Sequence, residues 1–197
     1  MSEFKQTWWD QNLDKRYKEF ESWVGPKSSV SKVFFRNYIK EKGYKHLVDV
    51  GCGPATEYYG YKEEYPELQY TGVDSSVFLY NKNVAAGISM LLATAENIGV
   101  EDSFFEVGFS RHVLEHQPSF KPVLEELIRI SEKEAIHVFF IPPKYTPEHI
   151  GYDPNENLYH NRYDKYTIEA FLLDHPKVKH FSWIPITEQE EALSILL

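Results

Sequence analysis

The chain has 197 residues, 42% of them hydrophobic and 26% charged, with a formal net charge of −9. That length suits one globular domain with a real core and is short for two, and the acidic balance argues against a dominant nucleic-acid role, since phosphates need a basic field. The single cysteine, Cys52, excludes an internal disulfide, and no run reaches the roughly 18 apolar residues of a membrane span.

Met1 to Asp10 is polar and aromatic and lacks the apolar segment of a secretory signal, so a cytoplasmic location is expected. Residues 10–24 predict a helix: Leu13, Tyr17, Phe20 and Val24 recur at helical spacing, and Gly25-Pro26 stops it. A second helix is predicted from Ser28 to Lys42, with Val30, Val33, Phe34 and Tyr38 on its apolar face and Gly43 closing it. From residue 44 the pattern alternates. Strands are predicted over 46–51, 69–74, 89–93, 104–110, 135–141, 178–184 and about 191–196. Helices fall between them, over 54–64, 76–86, 119–132 and 165–174. Such alternation predicts an α/β fold: one seven-stranded, mostly parallel sheet with helices on both faces. The short link Pro185 to Glu190 suits a hairpin, so the last strand is predicted antiparallel. Residues 142–164 carry Pro142, Pro143, Pro147, Gly151, Pro154 and three asparagines, and predict one long irregular segment. It follows the C-terminal end of the fifth strand, where open α/β sheets take ligands, and reads as a lid on the substrate side.

The most informative stretch is His46-Leu47-Val48-Asp49-Val50-Gly51-Cys52-Gly53-Pro54-Ala55-Thr56. A short apolar strand ends in two glycines, and a helix start follows. Gly51 and Gly53 allow a sharp turn and the close approach of a ligand to the backbone. Pro54 suits the first turn of a helix. Tyr70-Thr71-Gly72-Val73-Asp74-Ser75 reads as the next strand, ending in a carboxylate. Asp74 follows the glycines by about twenty residues, the spacing at which an acid accepts bonds from ribose hydroxyls. Together these features make a nucleotide site. The glycines alone would also suit a tight turn or a nicotinamide dinucleotide.

Four segments resemble the class I S-adenosylmethionine-dependent methyltransferases, in particular the small-molecule group called type 11. Leu47 to Gly53 is similar to the family's glycine-rich first motif, and Val73-Asp74-Ser75-Ser76 to the second. Ala93-Thr94-Ala95-Glu96-Asn97 resembles the adenine-contacting turn, and Phe104 to His116 the fourth strand with its following helix. The likeness covers about residues 44–143. It departs at Ala55, where the family often has a third glycine, at Thr94, where an aspartate often stands, and at the acidic turn Val100-Glu101-Asp102. The resemblance implies a Rossmann-like fold, with residues 1–43 as a helical cap over the cofactor site and 44–197 as the core of a single domain. It implies S-adenosyl-L-methionine as cofactor. Tyr17, Asp49, Gly51, Cys52, Gly53, Asp74, Ser75, Thr94, Ala95, Glu96, Ser110 and Arg111 would then contact it. Asp49 and Glu57 would supply negative charge near its ammonium group.

His112 lies nearest the C-terminal end of the fourth strand, where methyl transfer belongs. A neutral imidazole there can take a proton from a hydroxyl, so His112 is the candidate general base; packing is the alternative. His116 and the cluster Tyr159, His160 and Arg162 are candidate substrate contacts, with Arg162 as an anion clamp. They would serve equally as a packed helix end and a solvated loop. His112-Val113-Leu114-Glu115-His116 also fits the inverted zinc-protease pattern. Gln117-Pro118 interrupts the helix that pattern needs, so no metal is expected. No amine-binding Asn-Pro-Pro-Tyr run is present, and Ile141-Pro142-Pro143-Lys144-Tyr145 is not one. The expected reaction is O-methylation of a small-molecule or glycan acceptor, without nucleic-acid or membrane partners. A nicotinamide-dependent enzyme and a non-catalytic nucleotide-binding module are the alternatives.

Overall fold

A computed structural model of the chain describes residues 17–18, 21–22, 24–154 and 158–197. Helix α1 (Val30–Lys42) leads into strand β1 (His46–Val50), helix α2 (Thr56–Glu64), strand β2 (Gln69–Asp74), helix α3 (Val77–Ala85) and strand β3 (Met90–Leu92). Strand β4 (Phe105–Arg111), a 3-10 turn (Leu114–His116), helix α4 (Lys121–Ile130) and strand β5 (Ser131–Phe139) follow. The chain ends with β6 (Tyr152–Asp153), β7 (Leu158–Tyr159), α5 (Lys165–Asp174), β8 (His180–Pro185) and β9 (Glu191–Leu196).

Seven strands form one sheet in the order β3-β2-β1-β4-β5-β9-β8. Strands β1 to β5 pair in parallel, and β9 runs antiparallel to both β5 and β8. The strand order reverses between β1 and β4, so the C-terminal ends of these two strands frame a crevice. Side chains alternate between two apolar layers, as the period of two requires. Val48, Val50, Ala135, Phe139, Leu193 and Ile195 pack with α4 and α5. Leu47, Val107, Phe109, Ile136, Val138 and Ala192 pack with Phe35 and Ile39 of α1 and Tyr61 of α2. Helices therefore cover both faces, and the Rossmann-like arrangement read from the sequence is the one observed.

Three readings need correction. The buried face of α1 is Ser31, Lys32, Phe35, Arg36 and Ile39, whereas Val30 is 61% exposed and Phe34 37%. Hydrophobicity misassigned this face because Lys32 and Arg36 go inside, where carbonyls and carboxylates receive them. Pro54 precedes α2, which starts at Thr56. The segment 142–164 is not wholly irregular, since β6 and β7 form a short antiparallel hairpin within it. Its far end is tied to the 3-10 turn. The Asn161 N–H donates to the Glu115 carbonyl at 2.9 Å, and the Tyr163 hydroxyl donates to the Leu114 carbonyl at 2.8 Å. The predicted helix over 10–24 falls largely outside the described residues; of it, Tyr17, Lys18, Glu21, Ser22 and Val24 are helical. No helix among the described residues is long and apolar enough to cross a membrane.

Candidate active site

The glycine loop leaves β1 at the reversal point. Gly51 has φ 72° and Gly53 φ 55°, values that favour glycine. A Cβ on Gly51 would meet Val113 Cγ2 at 2.4 Å, so the loop also packs too closely on the segment after β4 for any side chain. Gly51 and Cys52 N–H groups donate to the Val73 carbonyl at 2.8 and 3.0 Å. Asp74 then links the two motifs: its Oδ2 accepts the Gly53 N–H and its Oδ1 the Ser76 N–H, each at 2.9 Å. The buried Asn83 donates to the Gly53 carbonyl at 2.9 Å. Cys52 is buried against Met90, and burial pushes its thiol pKa up. Its side chain is therefore packing, and its backbone belongs to the loop.

Beneath the loop lies a buried charged cluster. Asp49 accepts the Tyr70 hydroxyl at 2.6 Å, and burial still raises its carboxyl to about 6. Glu57 is raised to about 7, first by burial and then by the charge of Asp49. Neither Glu57 carboxylate oxygen has a hydrogen-bond partner, although Arg36 stands 3.8 Å away. Lys32 reaches the Gly25 carbonyl at 3.0 Å and the Thr56 hydroxyl, and burial lowers it to about 8.

The end of β4 carries the second half of the site. His112 has φ 58°, a left-handed conformation that costs a residue with a Cβ about 1–2 kcal/mol. Its N–H donates to the Val138 carbonyl at 2.9 Å, which holds that turn against β5. Its ring lies 5.0 Å from Phe140, and Nε2 lies 2.9 Å from Glu190 Oε1. Burial pushes the imidazole below its usual range, despite the Glu190 carboxylate. Arg111 donates from Nε to the Ser31 hydroxyl at 3.1 Å and from Nη2 to Glu190 at 3.0 Å.

Ser110 is a correction. Expected at the cofactor, it is 0% exposed and bonds His137 Nδ1 at 2.6 Å. Alternation along β4 puts it on the face opposite Arg111, the side covered by α4. His137 Nε2 in turn faces Glu115 Oε2 at 3.5 Å, an ion-pair separation. Glu115 Oε1 accepts the Phe140 N–H at 2.6 Å. Burial works against the Glu115 carboxylate, yet His137 and the backbone bonds hold its pKa down.

The remaining expected residues are spread around the crevice. Tyr17 packs on Phe78 at 5.9 Å with Lys82 over its ring, at α3. Thr94 and Glu96 are exposed and Ala95 and Ser75 half-buried; a bridge between Thr94 and Asn97 closes the turn after β3. His116 Nδ1 donates to the Tyr159 carbonyl at 2.7 Å, and its ring meets Phe140 and His160 at 5.3 and 5.4 Å. Arg162 donates to the Pro147 carbonyl at 3.1 Å, a bond that ties the 142–164 segment to itself. Among the described residues no group of three or more metal-ligating side chains comes together. The sequence reading missed Ser31, Lys32, Arg36, Asn83 and Glu190. A charged residue within a helix or a hairpin link carries no local sign that its partner lies far along the chain.

Residues 48–139 match the family model described as a methyltransferase domain. No curated protein sequence matches the chain. Solved structures share the fold. The Burkholderia thailandensis 1,6-didemethyltoxoflavin-N1-methyltransferase, at 12% identity, aligns over 94% of this chain and 85% of its own with TM-score 0.67. The magnesium protoporphyrin IX methyltransferase of Synechocystis PCC 6803 aligns at 11% identity over 95% and 97%, with TM-score 0.65. An S-adenosylmethionine-dependent methyltransferase of Mesorhizobium loti aligns at 13% identity over 88% and 100%, with TM-score 0.64. The matched stretch runs from β1 to the end of β5 and carries the glycine loop, Asp74 and His112, so the central part of the chain is a methyltransferase domain.

Proposed function

We propose that the protein methylates a hydroxyl of a small-molecule or glycan acceptor, with His112 as general base. The residues present fit the cofactor. The glycine loop lets a ligand approach the backbone where no side chain stands, and Asp74, whose carboxylate oxygens can each accept a second bond, offers an acceptor for ribose hydroxyls. The orphaned carboxylate of Glu57, with Asp49 beside it, suits an ammonium group. The turn of Thr94, Ala95 and Glu96, with Thr94 and Glu96 exposed, is read as the adenine contact. When bound, S-adenosylmethionine supplies an electrophilic methyl group on a sulfonium.

One observation carries the hydroxyl reading. His112 is held in a left-handed turn at the C-terminal end of β4, neighbour to the glycine loop's own strand, with its imidazole pKa held down. A neutral imidazole is thus available at pH 7 to take a hydroxyl proton. Phe140, His116 and His160 form a run of rings beside it; these residues and Tyr159, whose carbonyl takes the His116 N–H, are read as acceptor contacts. The packing of Tyr17 on α3 supports reading residues 1–43 as a cap, and the anchored 142–164 segment is read as the lid. The test is a panel of phenols, sugars, carboxylates and amines incubated with S-adenosylmethionine, reading release of S-adenosylhomocysteine. Hydroxyl acceptors are expected to turn over, and His112→Ala to lose roughly 10²–10⁴-fold. Turnover confined to amines, or undiminished in His112→Ala, contradicts the reading.

A further inference from the structure

Glu190 lies in the link between β8 and β9, remote in sequence from every motif of the site. Its Oε1 is a common acceptor for Ser31 Oγ at 2.8 Å, His112 Nε2 at 2.9 Å and Arg111 Nη2 at 3.0 Å. The three donors come from different elements: α1, the turn after β4, and the end of β4. Ser31 is 0% exposed, and its hydroxyl also accepts from Arg111 Nε, so the donors brace one another. Burial works against the carboxylate, but the His112 and Ser31 bonds and the Arg111 charge hold it at about 2. Glu190 is therefore ionised at neutral pH and can only accept.

That fixes the tautomer of His112. Because an ionised carboxylate donates nothing, the hydrogen of a neutral imidazole must sit on Nε2. Nδ1 then carries the lone pair, and it has no hydrogen bond to a described residue. Ring orientation is fixed as well, by Phe140 on one side and by the left-handed backbone. The charged groups acting on the ring are Glu190 from the hairpin link and Glu115 from the 3-10 turn, which favour the imidazolium, and Arg111 from β4, which disfavours it.

We propose that Glu190 is a positioning residue that holds His112 as the Nε2–H tautomer and so leaves Nδ1 as the nitrogen that takes the acceptor's proton. The inference rests on the reading of His112 as base. The hydroxyl proton moves to Nδ1, the imidazolium keeps Nε2–H on the Glu190 carboxylate, and the Nδ1 proton is later lost to solvent. Glu190 itself stays ionised throughout.

Long-range ¹⁵N–¹H spectra of the full labelled chain test this without any acceptor, with His112 assigned by its loss in His112→Gln. Wild type is expected to show the Nε2–H tautomer at pH 7.5. Glu190→Gln, which keeps the acceptor oxygen but loses the charge, is expected to lower the His112 titration midpoint by about one unit and to mix the tautomers. Glu190→Asp is expected to keep the charge and the higher midpoint, and serves where the glutamine variant does not fold. An Nδ1–H tautomer in wild type overturns the inference, as does a Glu190→Gln titration identical to wild type. Failure of the base reading looks different: His112→Ala would methylate acceptors at full rate while the wild-type spectrum still showed Nε2–H.

Discussion

Asp74 joins two motifs of the site with one carboxylate, and the same carboxylate is our proposed acceptor for the ribose. Its oxygens accept the Gly53 and Ser76 N–H groups, so it joins the glycine loop to the start of α3. Each charge-assisted bond of this kind contributes roughly 1.5–3 kcal/mol. Asp74→Ala is expected to lower the stability of the unliganded protein by on the order of 2–3 kcal/mol in urea unfolding, and to weaken S-adenosylhomocysteine binding at least tenfold. An unchanged urea midpoint would show that the loop holds without it. The glycine turn and the strand end at Asp74 were legible because they are written locally, in an apolar run, two glycines and a spacing. Ala55, which stands where the resembling family often has a third glycine, takes φ 51°, and its left-handed backbone costs about 1–2 kcal/mol. Lys32, Arg36 and Glu190 were not legible as buried charges. Each takes its meaning from a partner on another element, and in isolation such residues read as solvated.

At the scale of elements, the parallel strands were readable from short apolar runs bounded by glycine and by amphipathic helices. The strand pairs β6 and β7 were not, because two residues each carry no periodicity. They exist through tertiary bonds to the 3-10 turn, where Glu115 is central. Its carboxylate takes the Phe140 and Ile141 N–H groups at 2.6 and 3.3 Å, and its carbonyl takes the Asn161 N–H. It thereby ties the segment after β4, the end of β5 and the 142–164 segment together. The sequence pattern His112 to His116 drew notice to the histidines, while the glutamate between them does this structural work. Glu115→Ala leaves buried donors unpaired, which costs about 1–3 kcal/mol each. Amide hydrogen exchange is expected to quicken at Phe140 and Ile141, whose acceptor is lost, and to stay slow in β1 and β2. Uniform protection across these positions would place the anchor elsewhere.

For the whole molecule, the net charge of −9 is borne by a fold that buries several carboxylates. Glu57 goes from 4.5 to about 7 on folding, so the folded state binds more protons there between those values. Stability from this group is therefore present below about pH 4.5 and falls as pH rises through about 7. Glu190 has the opposite sign: its contribution is present above 4.5 and is lost as pH falls towards about 2. Glu57→Gln isolates the first effect. The variant is expected to gain stability over wild type at pH 8 and to lose that advantage by pH 5, in paired denaturant titrations. A gain at pH 5 that disappears at pH 8 would reverse the sign and contradict the placement of Glu57 as a buried acid short of partners.

The central claim is that this fold binds S-adenosylmethionine through the glycine loop and Asp74. Thermal melting of the wild-type chain with and without S-adenosylhomocysteine tests it most directly, because a ligand that binds only the folded state raises the midpoint by mass action. Saturating S-adenosylhomocysteine is expected to raise the midpoint by several degrees, and NAD or NADP at the same concentration to leave it in place. A rise with NAD or NADP and none with S-adenosylhomocysteine would contradict the account.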